Sequence, residues 1–110
     1  MYYTGKTEER KGAVHPNRIV DAVCDYFEIA EMEIDTLKPK EYKDTVVGFI
    51  MYFVCLYGSA LLDDYCENTG FSVFDARELV SRTGKMIWDC EQPAHEAAHD
   101  AIKEAITQNR

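Results

Sequence analysis

A His-Glu-Ala-Ala-His segment near the C-terminus is the first candidate for catalytic chemistry. His95 and His99 lie one helical turn apart, so both rings can contact one zinc ion, and Glu96 could polarise a zinc-bound water. A zinc hydrolase needs a third protein ligand, and the carboxylates that follow, Asp100 and Glu104, lack the spacing typical of such enzymes. We therefore expect a tail helix with two ordinary histidines, no metal site and no enzyme activity.

No second catalytic arrangement is visible in the sequence. Asp63 and Asp64 are adjacent, so on a helix their side chains diverge and cannot form a paired-carboxylate site. There is no glycine-rich phosphate loop, no Ser-His-Asp set and no haem attachment motif. The sequence therefore predicts no cofactor.

Residues from about 60 to 90 have the order of a DNA-reading helix-turn-helix: a short helix, a turn with glycine, and a longer helix. Gly70 can adopt a left-handed conformation in the turn, and Ser72 can cap the longer helix. Cys66, Phe71, Ala76 and Leu79 are expected to face inward. The positions left facing outward are Ser72, Val73, Phe74, Arg77, Glu78 and Ser81.

Double-stranded DNA is the partner that this motif predicts. Arg77 and Ser81 are expected to contact bases or the backbone, and Ser72 stands at the helix start. Five further cations are expected to position phosphates; they are Lys38, Lys40, Lys43, Arg82 and Lys85. The motif alone is equally compatible with DNA reading and with two helices that merely pack.

Helical periodicity in the remaining segments predicts an all-α fold, a compact bundle of about five or six helices. The most apolar helix runs from about Lys40 to Tyr57 and is expected at the centre, because its second half has almost no polar side. Before it we expect a helix from Pro16 to about Ala30 and a short turn around Ile34. The helices expected after it span Ala60 to Asn68 with Ser59 as cap, Val73 to about Cys90, and Pro93 nearly to Arg110.

Residues 1–14 show no apolar periodicity and are predicted to be a flexible leader, which leaves a single helical domain over 15–110. The N-terminus carries charges where a signal peptide would need apolar residues. The longest apolar run, Val46 to Tyr57, is shorter than the roughly 20 residues that cross a bilayer. We expect a cytoplasmic protein that does not enter a membrane.

The composition is acidic, with a net charge of −8 and a pI near 4.8. Proteins that bind nucleic acid usually show a basic footprint, so a local basic face would have to offset this charge. The four cysteines form no C-x-x-C pair, and three lie in apolar periodic segments. This pattern is typical of reduced, buried thiols and not of a disulfide framework or a cysteine-only zinc site.

Three short segments carry a resemblance to a known family. They are Asp25-Tyr26-Phe27-Glu28-Ile29 at the end of the first helix, Lys38-Pro39-Lys40 before the central helix, and Met51-Tyr52 within it. With the order and length of the helices, they make the stretch from about Asn17 to Ile106 similar to the C-terminal DNA-binding domain of the bacterial replication initiator DnaA. The resemblance implies a Trp-repressor-like helix-turn-helix fold and a role in replication.

The chain departs from that family where the family contacts DNA. The family signature Gly-Gly-Arg-Asp-His-Ser/Thr-Thr corresponds here to Gly70-Phe71-Ser72-Val73-Phe74-Asp75-Ala76, and the DNA-contacting arginine of the family's central helix corresponds to Val47. The resemblance therefore implies an inherited fold with altered or lost operator specificity.

The alternative function is a protein-interaction adaptor that has kept the fold and lost DNA binding. The acidic charge and the missing arginines favour it, and Asp75 and Glu78 would repel a DNA backbone. Val73 and Phe74 at exposed positions suit a hydrophobic partner or self-association better than phosphates. The sequence leaves both functions open.

Overall fold

Six helices follow one another in the computed structural model, which describes residues 1–89 and 92–108. They are α1 (Pro16–Phe27), a 3₁₀ helix (Glu31–Thr36), α2 (Lys40–Tyr57), α3 (Leu62–Thr69), α4 (Val73–Trp88) and α5 (Pro93–Gln108). The predicted all-α class is confirmed, with the predicted number of helices. In the described ranges, no helix combines the length and apolar character needed to cross a membrane.

Local signals explain where α1 and α4 begin. Pro16 stands at the start of α1, where its missing N–H leaves no hydrogen bond unmade, and the His15 side chain accepts from the Asn17 amide. Ser72 caps α4 as predicted, because its hydroxyl accepts from the Asp75 amide at 3.3 Å. α1 ends at Phe27, earlier than the predicted end near Ala30, and the next residue, Glu28, is left-handed with φ of 57°.

Of three other predicted boundaries, one is shifted and two lie outside the described residues. α3 begins at Leu62, with Leu61 before it, so Ser59 is not its cap. The Ser59 hydroxyl is instead buried without a hydrogen-bond partner in the described part of the chain. The predicted ends of the last two helices, at Cys90 and near Arg110, both lie outside the described residues.

α2 lies at the centre of the hydrophobic core, as its composition predicts. Nine consecutive residues, Val46 to Val54, are buried. α1, α3, α4 and the 3₁₀ helix contact α2 from different sides. Burying apolar area stabilises a fold by roughly 25 cal/mol per Å², so this helix contributes a large share of the stability.

Single residues of the segment 1–14, which is predicted to be a flexible leader, pack against the helices. Tyr3 is 4% exposed, and its ring lies 5.9 Å from that of Tyr65 on α3. Val14 is 3% exposed, and its backbone exchanges hydrogen bonds with Tyr57 and Ser59. Single anchors in irregular backbone give no periodic pattern, which is why the sequence did not reveal this packing.

The three described cysteines differ in their burial. Cys24 and Cys66 are buried as predicted, and burial raises the pKa of each to about 11. Cys55 is exposed, so the prediction of a buried thiol is wrong there. It lies near the end of α2, where the helix emerges from the core.

Gly48 on α2 allows α4 to approach closely. A Cβ at Gly48 would overlap the Thr83 hydroxyl of α4, whereas a Cβ at Gly84 would meet Tyr52 at an ordinary contact distance of 3.6 Å. We expect Gly48→Ala to lower the free energy of unfolding by about 1–3 kcal/mol, because two packed helices must separate. Gly84→Ala should leave it unchanged or raise it by up to about 1 kcal/mol through helix propensity. Urea titration measures both, and equal effects would contradict the close-approach argument.

Candidate nucleic-acid interface

α3, the turn at Gly70 and α4, here called the α3–α4 unit, follow the predicted order of a short helix, a turn and a longer helix. Gly70 is left-handed with φ of 77°, and the Phe71 amide donates to the Cys66 carbonyl across the turn at 3.0 Å. Cys66 and Ala76 are fully buried, and Leu79 is 8% exposed. These small and apolar side chains hold α4 against α3 and α2.

The opposite face of α4 is open to solvent. Phe74 is 74% exposed, and Arg77, Glu78 and Ser81 are exposed too. Val73 differs from the prediction, because it is half-buried and packs against the core. At the first position of α4 its side chain lies beside the turn, so it does not form an exposed pair with Phe74.

Arg77 is engaged by a carboxylate of α3. One guanidinium nitrogen donates to both Asp63 oxygens at 2.9 Å. Both side chains are more than half exposed, so this pair contributes at most about 1 kcal/mol to stability. No pattern in the sequence pairs Asp63 with Arg77, because the two side chains come together only when α3 and α4 cross.

Lys40 and Arg82 meet at a second carboxylate. They lie 3.8 Å and 3.7 Å from Asp44, which joins the first turn of α2 to the middle of α4. Asp75 and Glu78 line the same shallow groove of about 210 Å³. Three carboxylates therefore surround two cations, and the groove carries a net charge near −1 at neutral pH.

The other residues predicted to contact DNA are absent from the lining of this groove. The Lys43 ammonium donates to the Asp35 carbonyl at 3.1 Å, and the Ser72 hydroxyl is used in the helix cap. Lys38 is exposed before α2. Lys85 is exposed near the end of α4, eight residues or about 12 Å along the helix from Arg77.

The two histidines of the His-Glu-Ala-Ala-His segment pack against α2. His95 stacks on Phe49 with ring centroids 5.6 Å apart, and His99 stacks on Phe53 at 5.5 Å. Both pairs have a four-residue spacing, so the histidine face of α5 matches the phenylalanine face of α2. His99 is 4% exposed, and its Nδ1 lies 3.0 Å from the Asp100 carboxylate.

Both histidines of the motif thus have a packing role against α2. Among residues 1–89 and 92–108, no group of three or more histidine, cysteine or carboxylate side chains is placed to hold a metal ion. Glu96 is exposed on α5. The zinc-binding spacing therefore coincides with the spacing that two stacked aromatic pairs require.

Comparisons with known proteins add no functional assignment. The chain matches no protein-family profile, no curated protein and no solved structure. The resemblance to the DnaA C-terminal domain therefore stays a prediction, and the function must be argued from the geometry and charge around α4.

His99 provides a test of the stacked arrangement. We expect His99→Ala to lower the free energy of unfolding by about 2–4 kcal/mol, because it leaves a cavity between Phe53 and Trp88. His99→Phe keeps a ring in the stack and should lose less. Urea unfolding followed by the fluorescence of Trp88, the single tryptophan, measures the loss. Equal losses in both variants would argue against the stack as the source of stability.

Proposed function

We propose that this protein binds double-stranded DNA through α4. The α3–α4 unit carries the proposal: a left-handed glycine joins two packed helices, Ala76 and Leu79 seat α4, and the opposite face of α4 is free. A helix held from one side can enter the major groove, which is about 12 Å wide. Arg77 and Ser81 on the free face are the residues that reach the DNA.

The ion pairs around α4 reduce the positive charge but do not block contact with DNA. Exposed pairs such as Arg77 with Asp63 are worth at most about 1 kcal/mol, so a phosphate can displace the carboxylate. Lys40 and Arg82 can turn from Asp44 to phosphates in the same way, and Lys85 extends the surface along α4. The net charge of −8 makes the binding weak, and each phosphate contact adds about 0.9 to the slope of its salt dependence.

Fluorescence anisotropy with a labelled random-sequence duplex tests the proposal. We expect binding at about 50 mM salt that falls steeply by about 200 mM, and a several-fold weaker affinity for Arg77→Ala. Lys103→Ala on α5 is the matched control, because it removes one positive charge outside the α3–α4 unit. Absence of binding up to about 100 μM would contradict DNA binding, as would an equal loss in the control.

Removing the charge of Asp63, the partner of Arg77, should change the DNA affinity in the opposite direction. We expect Asp63→Asn to strengthen binding of the same duplex, because it frees Arg77 and removes a negative charge beside it. Asp64→Asn removes the same charge from the next residue, which does not pair with Arg77 in the described structure. A larger gain for Asp63→Asn than for Asp64→Asn supports a role of Arg77 at the DNA. Identical gains would show that only net charge matters.

A second proposal, the interaction adaptor, has support in one observation. Phe74 is 74% exposed on the free face of α4, beside Asp75 and Glu78. An exposed aromatic ring flanked by carboxylates suits the apolar pocket of a protein better than a phosphate backbone. The adaptor would then use α4 for self-association or for a protein partner.

Sedimentation velocity tests self-association through Phe74. We expect a weight-average sedimentation coefficient that rises with protein concentration and loses this dependence in Phe74→Ser. Met32→Ser is the control, because Met32 is 83% exposed on the 3₁₀ helix and away from α4 in sequence. A monomer at all concentrations would exclude self-association as the role of Phe74.

A further inference from the structure

A groove of about 420 Å³ lies between α1 and α5, on residues outside the α3–α4 unit. Its floor is apolar and comes mainly from α5. Ala101 and Ala105, one turn apart, are exposed, and the buried Ile102 and Ile106 lie beside them. Small side chains keep the groove open, and its volume is that of clefts that hold several side chains of a ligand.

The rim of the groove on α1 is acidic. Asp21 and Asp25 lie one turn apart, and both are exposed. Tyr26 adds a ring that is 41% exposed. The one cation among the described lining residues, Arg18, donates to the Ile106 carbonyl at 3.2 Å, so its guanidinium is partly engaged at the helix end of α5.

The raised pKa of the neighbouring Cys24 thiol is consistent with negative charge at this rim. Cys24 lies on α1 between the two aspartates. Burial, followed by the carboxylates of Asp21, Glu31 and Asp25, raises its pKa to about 11, and the N-terminal ammonium opposes this rise. Asp21 also accepts from the Tyr2 hydroxyl at 2.5 Å, which leaves its carboxylate charge in place. The rim is therefore negative, with the N-terminal ammonium and Arg18 offsetting part of its charge.

We propose that the groove between α1 and α5 binds a lysine-bearing amphipathic segment of a partner protein. Its apolar side chains lie against the exposed Ala101 and Ala105, and its ammonium groups pair with Asp21 and Asp25. Charge complementarity selects this occupant. A second copy of the chain also carries a net charge of −8, and DNA phosphates would be repelled by the aspartate rim.

The probe is a labelled peptide of leucine and lysine. Leucines recur every four residues along one helical face, and lysines recur every four residues along another. We expect it to bind the full chain at about 50 mM salt and to bind Asp21→Asn/Asp25→Asn about fivefold more weakly, as two rim ion pairs predict. The control Asp64→Asn/Glu67→Gln removes two charges from α3 and should change the affinity less than twofold. Ala105→Trp fills the groove and should abolish peptide binding.

The outcomes separate this groove from the proposed DNA surface. Equal weakening in both double variants, or equal binding of a peptide with serine in place of leucine, would show general charge attraction and overturn the proposal. Unchanged binding to Ala105→Trp, or no binding at 1 mM peptide, would also overturn it. Because the groove contains no residue of α4, loss of DNA binding by Arg77→Ala and loss of peptide binding by Ala105→Trp are independent results. Circular dichroism verifies that each variant is folded.

Discussion

Nine consecutive residues of α2 are buried, so every side of that half-helix has to be covered by another element. α1, α3 and α4 contact it directly, and α5 covers Phe49 and Phe53 with two histidine rings. The N-terminal segment closes the end near Tyr57 through the backbone of Val14. The position of each helix thus follows from the need to exclude water from one apolar helix.

The surface of α4 combines two opposing requirements. An acidic protein gains solubility from its net charge, and a DNA-binding helix needs local positive charge. Asp63 and Asp44 hold the cations of α4 at its sides, and the exposed pairs cost little to open. The groove between α1 and α5 is also acidic, and its two aspartates form no ion pair among the described residues. The two faces therefore differ in whether their charges are paired.

Much of the fold could be predicted because its signals are local. Apolar spacing located the helices, Gly70 and Ser72 marked the turn and the cap, and the composition of α2 placed it at the centre. The burial of Tyr3 and Val14 could not be predicted, because they are single anchors in irregular backbone. Val73 was misjudged because exposure at the start of a helix depends on the turn beside it and not on periodicity.

The candidate site was less predictable, for a physical reason. The sequence alone determined which residue types stand on each helix face, since the helical repeat fixes that within one element. Only the tertiary structure decided that Asp63 reaches Arg77, that Asp44 lies between Lys40 and Arg82, and that His95 and His99 stack on α2. Such contacts join residues far apart in the chain. They exist only after the helices pack, and no local spacing in the sequence encodes them.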